Sequence, residues 1–278
     1  MFWTRLISGV ILLIIALFTM GMGDVTLALT LFAISLIAFR ELTKAMHCAG
    51  EEKKCSLLEL VGFAGIAAYY PACWFVALGA DKVVLLAVIL AVFLGELFLY
   101  VLTFPKFQAE QVVGVFFSFV YAPVMLAFVY LTRELPQGFY LVWLILISSW
   151  GCDTCAYAVG ILIGRKKIFP VLSPKKSLEG CFGGVLGAAL IGGLYGHFFI
   201  QPHFPERPIA WLIALICGVG AVMSMVGDLA ASAIKRNHDI KDYGKLIPGH
   251  GGIMDRFDSM IVTAPMVYFL AVFLLQIR

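Results

Sequence analysis

The chain has 278 residues, of which 62% are hydrophobic and only 13% charged, with mean hydropathy +0.99. A soluble domain is roughly half apolar and about one quarter charged, so disorder, a coiled coil and a conventional cytosolic enzyme are excluded. A polytopic membrane protein remains, and its net charge of +3 is too small to argue for a nucleic-acid partner.

Apolar runs predict an all-α protein with about nine membrane-spanning helices, near 6–23, 25–39, 57–78, 83–104, 112–131, 139–163, 181–199, 209–227 and 259–277. The stretch from Leu6 has no small-residue cleavage site and reads as a retained span, not a signal peptide. The second run, at fifteen residues, is short for a span. With this topology 16 Lys and Arg fall on the side of the N-terminus and four (Lys82, Arg133, Arg207, Arg278) on the other. The positive-inside rule then puts the N-terminus in the cytoplasm and the C-terminus outside. The long polar stretches 40–56, 164–180 and 228–258 all face the cytoplasm in this scheme. Residues 1–135 read as scaffold and lipid-facing spans, and 136–278 as the catalytic spans with their loops.

Ionisable groups within spans are costly and are functional candidates by default. Glu96 is one, with structural pairing as its simpler reading. Asp153 is the other; it follows Ser148-Ser149-Trp150-Gly151, a polar interruption that predicts a substrate-facing wall, against the alternative of an Asp bonded to nearby hydroxyls. Cys152 and Cys155 form a C-x-x-C with no second zinc-spaced pair, and five of the seven cysteines (73, 152, 155, 181, 217) lie in apolar runs as packing residues. Gly183, Gly187, Gly192 and Gly196 predict close helix packing.

The loop 164–180 holds five basic residues. Arg165, Lys166 and Lys167 suit contact with anionic headgroups. Ser173-Pro174-Lys175-Lys176-Ser177 reads equally as such an anchor or as a turn aimed at a phosphate. The densest signal spans 227–258. Asp228, Ser232 and Lys235 are spaced to share one helix face, as are Asp255 and Asp258. Gly249, Gly251 and Gly252 leave backbone amides open to an anion. Carboxylates beside cations and a glycine loop are the makings of a metal–polyphosphate site, since magnesium bridges one or two carboxylates to substrate phosphates. No G-x-x-x-x-G-K-[ST], H-E-x-x-H or G-x-S-x-G is present, which argues against a P-loop motor, a zinc protease and an α/β-hydrolase.

The run Ser232-Ala-Ile-Lys235-Arg236-x4-Lys241-Asp242-x-Gly244-x2-Ile247-Pro248-x-His250-Gly251-Gly252-Ile253-x-Asp255-Arg256-Phe257-Asp258 resembles the signature of the phosphatidate cytidylyltransferases (CDP-diacylglycerol synthases). Agreement extends across its 27 residues, and Ser173–Gly180 and Asp153 are similar to that family too. The likeness is sharpest from about 150 onward; the earlier spans match only in hydrophobicity. The resemblance implies transfer of CMP from CTP to phosphatidic acid, giving CDP-diacylglycerol and pyrophosphate, with magnesium; the compact length suggests a bacterial cytoplasmic membrane. The resemblance also implies a homodimer among membrane lipids.

By the same resemblance the paired-metal site, with a second cation unidentified, falls on Asp228 and Asp255, with Asp258 and Asp242 as further ligands or anchors. Lys235, Arg236, Lys241, His250 and Arg256 would hold the CTP or lipid phosphate, Lys175, Lys176 and Ser177 would close the site, and Ser232, Gly251, Gly252 and Asp153 would line it. Two rivals are a transporter, which would move substrate without CTP, and a CTP-dependent lipid kinase, which would release CDP.

Overall fold

The computed structural model describes residues 2–48, 55–170, 172–249 and 251–277, with side chains from Ile7 onward. Among the described residues eight helices are long and apolar enough to cross a membrane. They are α2 (Asp24–Ala45), α3 (Leu57–Ala77), α4 (Val83–Leu102), α5 (Ala109–Arg133), α6 (Gly138–Ile163), α7 (Leu178–His203), α8 (Ala210–Asn237) and α9 (Met254–Leu275). Helix α1 (Phe2–Met22) precedes them; its described apolar part, Ile7–Met22, is shorter. Large side chains stand outward along these helices, such as Phe98 at 67% and Val101 at 72% exposure on α4. Such a surface suits hydrocarbon and not water.

The expected spans differ from the helices mainly at their ends. Helix α2 has 22 residues, not fifteen, because it continues through Arg40, Glu41 and Lys44. An ion pair from Arg40 to the buried Glu59, and a 2.6 Å hydrogen bond from Thr43 Oγ1 to the same carboxylate, let this polar end stay helical. Helix α8 runs past residue 227 to Asn237, and α9 begins at Met254 rather than 259. The acidic motif residues Asp228, Asp255 and Asp258 are thus helical, with the spacing expected of them. The polar interruption at 148–151 coincides with a π-turn, Ile147–Gly151, inside α6. A second π-turn, Val120–Val124, surrounds Pro123, which has no amide to offer the helical ladder.

Two compact units form. One is Met1–Tyr130 together with Asn237–Arg256, the other Leu131–Arg236 together with Phe257–Arg278. The motif loop therefore packs with the N-terminal spans. In the first unit, Phe39, Ile66, Tyr69, Val92 and Phe119 are buried core residues, and Gly62 and Gly65 on α3 give Phe39, Val92 and Phe119 room. Glu96 is completely buried there, and neither carboxylate oxygen has a hydrogen-bond partner among the described residues.

In the second unit α6 and α7 lie in close contact. A Cβ on Gly187 would stand 2.5 Å from Cys155 Sγ, and one on Gly184 would stand 2.9 Å from Cys152 Sγ and 3.0 Å from the Cys152 carbonyl oxygen. The C-x-x-C pair faces the glycines of α7, all seven cysteines are free thiols, and small residues bring the two backbones together. Gly184→Val should cost about 1–3 kcal/mol by overpacking, because a backbone oxygen cannot turn aside as a side-chain tip can. A lower melting temperature in detergent is the expected result; an unchanged one would mean the helices separate freely.

Candidate active site

The loop 237–256 of the first unit is organised around Asp255. Its Oδ2 accepts the amides of Tyr243 at 2.8 Å and Gly252 at 3.0 Å, pinning both ends of the loop to the first turn of α9. Ile247 N–H donates to the Gly251 carbonyl at 2.9 Å and closes the tip. Gly251 has φ +92°, and a Cβ there would lie 2.8 Å from Asp255 Oδ2, so the position requires glycine on both counts. The closed loop walls a cavity of about 540 Å³ lined by Lys241, Asp242, Lys245, Gly249, Gly251 and Arg256, among others. Buried Arg256 Nε has no hydrogen-bond partner among the described residues. Three cations against one acid, with a buried guanidinium N–H unpaired, make a cup for a polyanion. One expectation is corrected here: the Gly252 amide is not open to a phosphate, because Asp255 takes it. His250 lies outside the described residues.

The second unit assembles a different cluster. Gly227 lets α8 and α9 touch backbone to backbone: a Cβ on it would stand 2.6 Å from the Asp258 carbonyl oxygen and 3.2 Å from Ser259 Cα. Next to that contact Asp258, 8% exposed, lies close enough to Asp228, Lys235 and Asp153 for their charges to act on it. Lys176 Nζ reaches Asp228 Oδ2 at 2.5 Å.

The loop that delivers Lys176 is tightly tied. Lys176 N–H donates to the Ser173 carbonyl at 3.2 Å, forming the turn expected around Pro174. Leu178 N–H bonds the Lys166 carbonyl at 2.8 Å, and Lys167 Nζ bonds the Lys175 carbonyl at 3.0 Å. A cavity of about 540 Å³ opens between this turn and α6, lined by Asp153, Tyr157, Lys175 and Lys176. Ser177 lines the same cavity and also serves the helix. It is 3% exposed, and its Oγ accepts Gly180 N–H at 3.2 Å as the N-cap of α7.

The sequence-derived residues thus fall into two groups. Lys241, Asp242, Gly251, Asp255 and Arg256 build the cup of the first unit. Asp153, Lys175, Lys176, Asp228, Lys235 and Asp258 gather in the second. Ser232 is half-buried on α8 one turn after Asp228, and Arg236 is exposed near its end. Motif and spacing do not single out Lys245, which lines the cup, or Glu41, whose Oε2 accepts Met254 N–H at 2.8 Å.

Magnesium fits the donor set around Asp228 and Asp258: oxygen donors only, close enough to repel each other, beside two lysines. No group of three or more acidic, His or Cys side chains among the described residues is arranged as a self-sufficient metal site. Magnesium commonly takes one or two protein carboxylates and completes its shell with water and phosphate oxygens, so the smaller set suffices. Gly227→Ala should part α8 from α9 and lower activity more than tenfold; normal turnover would show that this contact does not set the carboxylate spacing.

Comparison with known proteins identifies the family. The sequence profile of the cytidylyltransferase family matches residues 3–274. A phosphatidate cytidylyltransferase of Bacillus subtilis is 30% identical over 276 residues, covering 96% of each chain. One from Synechocystis is 42% identical over 145 residues, covering 52% of this chain and 47% of that one, and one from Thermotoga maritima is 40% identical over 126 residues, covering 45% and 46%. A match of nearly full length, joined to a cationic cup and an acidic cluster on membrane-spanning helices, shows that the chain belongs to the cytidylyltransferase family.

Proposed function

We propose that this chain transfers CMP from CTP to phosphatidic acid, producing CDP-diacylglycerol and pyrophosphate at the cytoplasmic face of the membrane. The observation that carries this reading is the Lys241–Lys245–Arg256 cup, on a chain whose residues 3–274 match the family profile. One substrate is a lipid anion and the other a polyanion in water, so membrane helices bearing charged loops suit both.

A phosphate oxygen of phosphatidic acid attacks the α-phosphorus of CTP; the bond from that phosphorus to the bridging oxygen breaks, and pyrophosphate leaves with the electron pair. The nucleophile is already anionic, so the protein needs no covalent intermediate, only alignment and charge neutralisation. Lys241, Lys245 and Arg256 hold the departing phosphates. Lys176 and Lys235 receive negative charge beside the carboxylates, and Asp228 and Asp258 would hold magnesium. Magnesium bound there would neutralise charge on phosphate oxygens as it builds. Asp255 keeps the loop closed through Tyr243 and Gly252.

The test is purified protein in lipid nanodiscs with phosphatidic acid, magnesium and CTP labelled at the α-phosphate. Label should enter the lipid, with equimolar pyrophosphate, and chelation should stop both. CDP appearing while the lipid stays unlabelled would replace this reading with γ-phosphoryl transfer. Loss of turnover on chelation that manganese or magnesium restores would support the cation; turnover unaffected by chelation would remove it.

A further inference from the structure

Glu41 stands near the end of α2, in the part of the chain where the sequence shows no catalytic motif. Its Oε2 accepts the amide of Met254, the first residue of α9, from 213 positions away, and the amide of Ile253 faces the same carboxylate. These amides belong to a helix N-terminus, whose N–H groups have no partner within the helix, and a carboxylate is the group that such an end favours.

The fit is close on both sides. A Cβ on Gly244 would overlap Glu41 Oε1, and one on Gly252 would stand 2.5 Å from the same atom. Two glycines of the motif therefore form a slot, and what fills it is a side chain of this protein. Met254 and Ile253 are buried, and Glu41 itself is half-buried. The loop held in this way runs between Gly244 and Gly252 and carries Lys245, Pro248 and Gly251 of the cup, with Arg256 one helical turn beyond.

We infer that Glu41 is a positioning residue for the nucleotide site: by capping α9 and filling the Gly244–Gly252 slot it holds the motif loop in the shape that binds the CTP phosphates. This rests on the function proposed for the cup. Gln at this position has the same size, yet it loses the charge and keeps only one acceptor oxygen for the two backbone N–H groups. Asp keeps the charge but withdraws the carboxylate by one methylene.

The experiment uses the full chain in nanodiscs with Glu41→Gln, Glu41→Ala and Glu41→Asp. Hydrogen exchange of the amides from Tyr243 to Arg256 should quicken about tenfold in Gln and Ala and less in Asp, while exchange in the helices of the second unit stays unchanged. The KM for CTP should rise about tenfold in Gln and Ala, and that for phosphatidic acid should stay within about twofold. Asp should recover part of the difference. Unchanged exchange in the loop would overturn the clamp. A fall in kcat alone, or a loss of protection spread over every helix, would make Glu41 merely structural and overturn the inference too. If the wild-type protein does not turn over CTP and phosphatidic acid, the proposed function fails, whereas the exchange data still decide whether Glu41 holds the loop.

Discussion

Asp228→Asn is expected to abolish cytidylyl transfer, by about 10²–10³-fold or more, while the protein still inserts and melts normally. Asn preserves the shape of the side chain and removes its charge. At 31% side-chain exposure Asp228 is not a core residue whose neutralisation would unfold α8, so activity and stability should separate. A structural explanation competes, because Asp228 pairs with Lys176 at 2.5 Å. If that ion pair were the whole of its role, Lys176→Gln would lose as much activity as Asp228→Asn, and Asp258→Asn would lose little. If Asp228 holds a cation beside Asp258, Asp258→Asn is as damaging as Asp228→Asn. Kinetics on the three variants, with melting curves as the control, decide between the two. Near-normal turnover in Asp228→Asn would sink the metal assignment.

Arg256→Gln should raise the KM for CTP about 10- to 100-fold, the range that one or two charge-assisted hydrogen bonds provide. Arg256 lines the cup, and its buried Nε is unpaired among the described residues, so little of the folded loop depends on it. Arg256→Lys should recover only part of the loss, since an ammonium cannot reproduce the planar fork of a guanidinium. The measurement is initial rate against CTP at a fixed surface fraction of phosphatidic acid, and then the converse. A change confined to the phosphatidic acid dependence would reassign Arg256 to the lipid phosphate and remove it from the CTP site.

Much of this protein is legible along the chain. An unpaired backbone is too costly in lipid, so only helices or a closed barrel can span it, and continuous apolar runs without short alternating strands leave the helices. The spacing of Asp228, Ser232 and Lys235, and of Asp255 and Asp258, predicts helix faces, and these residues do lie on helices, since a helix face is a local property set by 3.6 residues per turn. Motif agreement points to the family, and the profile match over residues 3–274 bears that out.

Hydropathy is a poor guide to the helix ends. A window average falls at Arg40, Glu41 and Lys44, although pairing of Arg40 with Glu59 keeps the helix running. Only the tertiary structure decided which partners the polar groups have. That Gly227 admits α9 against α8, that Asp255 spends its Oδ2 on two loop amides, and that Ser177 caps a helix are outcomes of packing. The clearest case is Glu41, which meets Met254 across 213 residues. Periodicity and spacing describe neighbours within a turn or a loop; a contact of that length exists only once the helices have chosen their partners.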